Sequence, residues 1–437
     1  MKIHFIGIGG IGISGLAQYM HFNGHEVTGS DISDTIITEK LRSFGIKVST
    51  PHSPSSIQKQ DLIIHSAVIK DSNPEIIEAK NQNIKIVPRR DALFEILQDK
   101  KVYSVAGAHG KSTTTAILSA IMKGSAIIGA ESKAFKSNVR YDNSTDIMLF
   151  EADESDASFL NSNPYCAIVI NAEPEHMEYY NYNEKKFYDS YKQFILSAKV
   201  RILNAEDPYL STLKESVSAI WLYPSKDIKN IEYKLIDNQP YTEFSFKDFG
   251  RFTVWGFGEH IALDASLAIL SAKESMNIET IRKNLLNFKG IKKRFDVVGS
   301  DDNVVIIDDY GHHPTEIKAT FQSVKEYAKL KDFKTITTIW QPHKYSRTLD
   351  NLQAFRECFE GTDELIILPV WEAGEDYQDI DFKEKFKHYN LTLATNIRRV
   401  DNHIDIIKDG KVIKSIENGL IISFGAGDIT YQIRGEK

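Results

Sequence analysis

Cysteine is nearly absent, with Cys166 and Cys358 the only two in 437 residues. Cys166 adjoins the apolar run Ala167-Ile168-Val169-Ile170, and Cys358 lies in the helical pattern Phe355-Arg356-Glu357-Cys358-Phe359. Such placement excludes a disulfide framework and a metal role; both read as small buried residues of a reducing compartment. Positive charge is also in deficit. Lysine and arginine total 53 against 60 acidic residues, a formal net charge of -7, which leaves no basic face for nucleic acid. No apolar run approaches the ~20 residues that cross a bilayer. The first residues enter a strand pattern, Lys2-Ile3-His4-Phe5-Ile6-Gly7, without the regions of a secretory signal. The expectation is a cytoplasmic protein with neither membrane nor nucleic-acid partner, a monomer or homodimer. Low-complexity tracts and short repeats are missing too.

What is present is a chain 42% hydrophobic and 26% charged, as globular proteins with sizeable cores are. Its length fits three domains at roughly 100–200 residues each. Apolar strands alternate with amphipathic helices nearly throughout, which predicts α/β architecture with mostly parallel sheets. The blocks expected are 1–98, 99–293 and 294–437. In the first, strands are predicted at Ile3–Ile8, Glu26–Asp31 and Leu62–Ser66, with helices at Ser14–Asn23 and Arg89–Leu97. The second carries strands Val102–Ala106, Ile147–Glu151 and Ala167–Ala172, a hairpin over Phe244–Trp255, and helices Ile261–Ser275 and Glu279–Phe288. The third carries strands Val304–Asp308, Thr335–Trp340, Glu364–Pro369 and Leu420–Phe424.

Gly107-Ala108-His109-Gly110-Lys111-Ser112-Thr113 lies between a strand and a helix. Small residues let backbone N–H groups approach phosphate oxygens, and a helix N-terminus adds positive potential. Lys111 can reach β- and γ-phosphates and Ser112 can bind Mg2+, so ATP and Mg2+ are the expected cofactors. Val105 occupies the first glycine position of the standard Walker pattern, and a plain strand-to-helix turn is the bland alternative. Gly7-Ile8-Gly9-Gly10-Ile11-Gly12 opens another helix, with Asp31 about 20 residues on. That fingerprint suits NAD, suits a nucleotide-sugar diphosphate equally, and also serves close helix–strand packing.

Glu151-Ala152-Asp153-Glu154-Ser155-Asp156 follows a strand, where ligands bind in open α/β sheets. Glu151 or Asp153 could hold Mg2+ opposite Ser112; a solvated acidic loop is the other reading. His176, in Asn171-Ala172-Glu173-Pro174-Glu175-His176-Met177, could bind a second metal ion or a transferring phosphate, or be structural. Asp308-Asp309-Tyr310-Gly311-His312-His313-Pro314-Thr315-Glu316 and Gln341-Pro342-His343-Lys344-Tyr345-Ser346-Arg347-Thr348 end two further strands. If those strands lie side by side, the two basic, His-rich ends form one anion cleft, with Arg347 suited to a carboxylate or phosphate.

These motifs, in this order and with Gly425-Ala426-Gly427-Asp428-Ile429, resemble the Mur ligase family of bacterial cell-wall synthesis across the whole chain. The resemblance implies an N-terminal Rossmann-like domain for the UDP-sugar, a central P-loop-type domain for ATP, and a C-terminal Rossmann-like domain that binds the amino acid and closes the site. It implies substrate contacts at Gly9, Gly10, Ile11, Gly12, Asp31, Ser66, Arg90, His343, Tyr345 and Arg347. It places Mg2+ near Ser112, Glu151 and His176, and nucleotide contacts at Asp264, Arg294 and Asp309 besides the loop. Catalytic roles fall to Lys111, Glu151, His176, His312, His343 and Arg347. Ile261 and Asp264 replace the two asparagines usual in the family, Glu175 replaces an aspartate, and the region from Lys123 to Asp146 looks shortened.

Within the family, Tyr310-Gly311 before His312-His313, together with the compact length, resembles the enzymes that ligate L-alanine to UDP-N-acetylmuramate. ATP would activate the lactyl carboxylate as an acyl-phosphate, which the amine then attacks. A recycling ligase that attaches a tripeptide to the same UDP-sugar is the near alternative. An NAD-dependent oxidoreductase, resting on Gly7–Gly12 and Asp31, is the distant one, and a non-catalytic nucleotide-binding regulator a third.

Overall fold

The structure, a computed structural model, describes residues 1–175 and 177–436. The chain forms two compact units. The first comprises Met1–Asn230, Phe244–Thr253 and Leu263–Lys289; the second comprises Ile231–Glu243, Val254–Ala262 and Gly290–Lys437. A three-stranded sheet, Ile228–Ile236, Gln239–Phe246 and Arg251–Trp255, contributes residues to both. The hairpin expected over Phe244–Trp255 is the second half of this sheet, closed by Phe246 N–H donating to Gly250 O at 3.0 Å.

The first unit holds two parallel layers. A five-stranded sheet runs in the order Lys47–Ser49, Glu26–Ser30, Lys2–Ile6, Leu62–His65, Lys85–Pro88, parallel throughout. Chain direction across the sheet reverses beside Lys2–Ile6, which places the glycine fingerprint at the switch point where such sheets take ligands. The helix after it starts at Ile11 rather than Ser14, because the glycines lead directly into the first turn. The helix over Arg89–Leu97 forms as expected.

The second layer has seven strands in the order Ile220–Leu222, Val200–Asn204, Pro164–Val169, Lys101–Ala106, Ile147–Glu151, Ser125–Ser132, Ser137–Arg140. All pairs are parallel except the last. The strand before the phosphate loop therefore lies between the strands that lead to Asn171 and to Glu151, and three motifs from distant sequence meet at one edge. The hairpin Ser125–Arg140, in the stretch read as shortened, packs on the helix Ile11–Phe22: Gln18 Nε2 donates to Asn138 Oδ1 at 2.9 Å and Ser137 Oγ to Gln18 Oε1 at 3.1 Å. Arg140 donates to the carbonyls of Ser119, Met122 and Gly124 at 2.5, 2.9 and 2.8 Å. Its guanidinium thus satisfies acceptors that end the helix Lys111–Ile121 and complements the negative end of its dipole.

In the second unit a six-stranded sheet runs Asp296–Ser300, Val304–Asp309, Gly419–Phe424, Ile336–Trp340, Glu364–Ile367, Leu391–Leu393. Only the first pair is antiparallel. Trp340 is fully buried among Phe355, Phe359 and Phe386, ring centroids 4.7, 5.2 and 5.5 Å away. A three-stranded antiparallel meander, Asn396–Val400, His403–Lys408, Lys411–Ile416, precedes the last strand of the six-stranded sheet; its mixed polarity left no clear alternation in the sequence.

Arg434, in the C-terminal helix Ile429–Arg434, donates from Nε to Asp308 Oδ2 at 2.7 Å and from Nη2 to Asp296 Oδ2. Both carboxylates are nearly inaccessible. Removing one member of a buried charge network strands the others, at a cost of about 3–5 kcal/mol. Arg434→Met is therefore expected to lower the thermal unfolding midpoint of the second unit sharply; an unchanged midpoint would show that the network adds no stability.

Candidate functional site

The phosphate loop is shaped by its neighbours. Gly110 takes φ +83° and begins the helix Lys111–Ile121, a left-handed conformation that glycine adopts without a steric cost. The Asn171 side chain pairs reciprocally with the backbone of His109: His109 N–H donates to Asn171 Oδ1 at 3.0 Å, and Asn171 Nδ2 to His109 O at 3.1 Å. A Cβ at Gly107 would lie 3.2 Å from Asn171, and one at Gly110 only 2.7 Å from Asp264 Oδ1. Asp264 thus lies against the phosphate end of the loop. The His109 ring approaches Glu173 at 3.1 Å. Ala108 is buried, and Thr113 is half-buried in the first turn. His176 lies outside the described residues.

Four acids end or follow the strand Ile147–Glu151, and they are divided among separate partners. Glu151 accepts from Ser112 Oγ at 2.9 Å and from Gly129 N–H at 2.6 Å. Gly129 is glycine for a reason of space, since a Cβ there would sit 2.5 Å from Glu151 Oε1. Burial raises the Glu151 carboxyl, partly offset by Lys111. Asp153 and Asp156 accept from Arg89 Nη2 at 3.3 and 3.1 Å. Burial works to raise Asp153, but Arg89 and the bonds from Ser155 outweigh it and hold it low.

Glu154 faces Lys111. The Lys111 ammonium donates to Glu154 Oε1 at 2.9 Å and to the carbonyls of Gly107 and Ala108 at 2.5 and 3.1 Å. Burial works to lower Lys111, yet Glu154 keeps it raised and charged. Glu154 is 1% exposed, and burial pushes it up to about 7. Among the described residues its Oε2 has no hydrogen-bond partner. An unpaired buried acceptor costs about 1–3 kcal/mol, so this geometry does not serve stability alone.

In the glycine fingerprint, Gly7 and Ile8 N–H donate to Ser30 O at 2.8 and 2.9 Å. Gly9 N–H donates to Asp31 Oδ2 at 2.7 Å, so Asp31 braces the loop itself. Gly10 and Ile11 are exposed at its rim, and Ser66 packs against Gly7. Arg90 turns away to Tyr179 Oη at 3.2 Å and Asp91 at 3.4 Å. The residue beside the fingerprint is Arg89, whose Nη1 would lie 2.5 Å from a Cβ at Gly12. Sequence alone offers two adjacent arginines and no means of choosing between them; the helical phase of Arg89–Leu97 decides.

In the second unit, the strand ends that carry His312 and His343 are not side by side, because Gly419–Phe424 lies between them. The expected adjacency of strands is corrected, but the loops still meet. Rings of His312 and His343 are 5.7 Å apart, Tyr310 lies 5.4 Å from His312, and Arg347 Nη1 is 3.0 Å from His343 Nδ1. Gly425 N–H donates to Asp309 O at 3.2 Å, and Gln341 bonds Asp428 at 2.8 Å, tying the intervening strand to both. Tyr345 is buried and rests on Tyr377 at 5.7 Å. Asp309 accepts from Phe295 and Gly311 N–H at 2.7 and 2.8 Å, and burial raises it to about 6 against the pull of Arg294. Arg294 pairs with Glu316 at 3.1 Å. Burial, reinforced by Arg347, pushes His312 and His343 down to about 4. The two imidazoles are therefore neutral at pH 7, and the positive charge among these four is that of Arg294 and Arg347 rather than of a basic histidine cluster.

Three family models match in succession: the Mur ligase family catalytic domain over residues 2–101, the Mur ligase middle domain over 105–272, and the Mur ligase glutamate ligase domain over 293–427. The chain belongs to the Mur ligase family. It is 52% identical over 434 residues to the UDP-N-acetylmuramate–L-alanine ligase of Campylobacter curvus, covering 99% of each chain. It is 53% identical over 438 residues to that of Helicobacter pylori strain P12, covering 100% of this chain and 96% of the relative. Among solved structures, UDP-N-acetylmuramate-alanine ligase MurC from Thermotoga maritima superposes with a TM-score of 0.82 at 25% identity, over 99% of this chain and 97% of that one. A murein peptide ligase from Psychrobacter arcticus shares the fold, with a TM-score of 0.65 at 21% identity over 98% and 96% of the chains.

For a Mur ligase, the three domain matches follow the order read from the motifs. The α/β fold with parallel sheets agrees with that reading, and membership of the family sets aside the oxidoreductase suggested by the glycine fingerprint alone. In this Mur ligase the imidazole protons of His312 and His343 are expected to titrate near 4 and to stay flat from pH 5.5 to 8. Ring chemical shifts measured by NMR check this; a midpoint between 6 and 7 for either ring would refute its burial-driven neutrality.

Proposed function

We propose that the chain ligates L-alanine to UDP-N-acetylmuramate at the expense of ATP, supplying peptidoglycan precursor for the growth, shape and division of a bacterial cell. As a Mur ligase it is an ATP-dependent carboxylate–amine ligase, and identity above 50% over the full length to named L-alanine ligases carries this choice within the family. The domains proposed are 1–98 for the UDP-sugar, 99–293 for ATP and 294–437 for the amino acid. We place the protein in the cytoplasm, as a monomer or homodimer, without nucleic-acid or membrane partners; among the described residues no helix is long and apolar enough to cross a membrane.

Free carboxylate and amine do not condense in water, because hydroxide is a poor leaving group. The lactyl carboxylate oxygen attacks the γ-phosphorus, the bond to ADP breaks, and an acyl-phosphate forms. The amine of L-alanine, having lost a proton, then attacks the acyl carbon, and phosphate leaves. The protein supplies position and charge. Lys111 neutralises the transferring phosphoryl group, and the N–H groups of Gly107–Thr113 cradle the neighbouring phosphates. Gly9, Gly10, Ile11 and Gly12 receive the UDP pyrophosphate, with Asp31, Ser66, Arg89 and Arg90 as candidates around it. Arg347 is placed to hold the amino-acid carboxylate. The neutral His312 and His343 add no charge beside Arg347, and Tyr345 walls the same region. Arg294, Asp309 and Asp264 are assigned to the nucleotide.

The donor set fits Mg2+: Ser112 and Glu151 present oxygens 2.9 Å apart, the hard ligands that this ion prefers, and His176 is the third assigned ligand. When bound, Mg2+ would offset phosphate charge during transfer. Gly129 would fix the orientation of Glu151 through its N–H.

Phosphate release should require UDP-N-acetylmuramate and be fastest with L-alanine in a panel that includes other amino acids and the murein tripeptide. Lys111→Ala should lower kcat by roughly a hundred- to a thousandfold. Faster release with the tripeptide would move the assignment to the recycling reaction, and near-normal turnover by the variant would remove Lys111 from phosphoryl transfer.

A further inference from the structure

The phosphate-loop lysine is already engaged. Its side chain is 16% exposed, and its ammonium is held by two loop carbonyls and Glu154. Those same contacts must loosen for the ammonium to meet a triphosphate. Of the four acids in the segment, three are otherwise committed: Glu151 to Ser112 and Gly129, and Asp153 and Asp156 to Arg89. Among the described residues, the Glu154 carboxylate is committed to Lys111 alone, with one oxygen paired and Oε2 buried and unpaired. A purely structural ion pair satisfies its remaining lone pairs; this one does not.

We propose that Glu154 is the resident counter-ion of Lys111, a positioning residue that gives the ammonium up to the incoming triphosphate and takes a proton from solvent in exchange. The inference rests on the assignment of Lys111 to the nucleotide's phosphates. Among the described residues, Glu154 pairs with no cation other than Lys111. Lys111 is the cation that lowers it; Asp153 raises it. From the loop after Asn171, Tyr180 Oη donates to the Glu154 backbone carbonyl at 2.6 Å rather than to its carboxylate. From the helix Glu184–Ser197, Tyr191 is wholly buried, and its hydroxyl has no hydrogen-bond partner among the described residues. Once Lys111 turns to the phosphates, a charged Glu154 would be a buried anion beside a polyanion. Protonation at Oε2 removes that charge, and no bond other than the new O–H is made or broken in the protein.

The direction of the pH effect follows. Glu154 lies at about 7 with Lys111 in place, and departure of the cation raises it further. The complex thus holds the proton more tightly than the empty protein, so nucleotide affinity is full below pH 7 and declines as pH rises through that value.

The test is calorimetric titration of the full chain with a non-hydrolysable ATP analogue and Mg2+, in buffers of different ionisation enthalpy, from pH 6 to 8.5. Wild type should take up about one proton more than Glu154→Gln near pH 8. Its affinity should fall about tenfold per pH unit above 7 beyond the analogue's own titration, leaving the variant about tenfold tighter at pH 8. Equal proton counts with parallel pH profiles would overturn the proposal, as would weaker binding by a folded Glu154→Gln. Should that variant not fold, the wild-type count decides, compared with Glu154→Asp, which keeps the charge and should keep the uptake; no uptake by wild type refutes the exchange. Lys111→Ala separates the two levels. Unchanged analogue binding by Lys111→Ala would refute the nucleotide assignment, whereas weakened binding alongside equal counts for wild type and Glu154→Gln would refute only the exchange.

Discussion

A lysine at the first turn of a helix must stay charged while being largely enclosed, and the middle of the first unit is arranged around that demand. Lys111 sits where the helix dipole already places positive potential, so it needs negative partners close by. Two loop carbonyls and Glu154 supply them. The loop can present those carbonyls because Gly107 and Gly110 allow its path and Asn171 holds His109 from the neighbouring strand. The helix end far from the loop is secured by Arg140 on three carbonyls. Anion-binding potential at one end and its compensation at the other are thus parts of one electrostatic arrangement.

The acidic segment shows how a run of like charges is made useful by separation. Four carboxylates within six residues would repel one another if they shared one environment. They are instead divided among separate partners: Glu151 to a hydroxyl and a backbone N–H, Asp153 and Asp156 to Arg89, and Glu154 to Lys111. Arg89 carries this further, since its other terminal nitrogen lies against Gly12 of the glycine fingerprint. One side chain therefore touches both the fingerprint and the acidic segment within the same unit.

The second unit handles charge in the opposite way. It half-buries His312 and His343 near Arg347 and keeps them neutral, so positive charge is concentrated in arginine. An arginine offers a fixed, permanently charged fork for a carboxylate, while the neutral imidazoles add no further charge beside it.

Much of this was written in the chain itself. The alternation of apolar strands and amphipathic helices determined the α/β class, since only parallel sheets flanked by helices bury such a pattern. The Gly-Lys-Ser-Thr stretch determined a strand–loop–helix turn that brings backbone N–H groups and an ammonium together. The order of the motifs determined the family. Tertiary structure alone decided partners. Which of Arg89 and Arg90 faces the fingerprint depends on helical phase within a fraction of a turn. Which acid meets Lys111 depends on a loop whose φ angles turn at Ala157, and on neighbours tens of residues away. That Gly419–Phe424 separates the strands bearing His312 and His343 is a matter of sheet order, and strand periodicity carries no information about order. The protonation of those histidines followed from burial and from Arg347, neither of which exists until the strands are assembled.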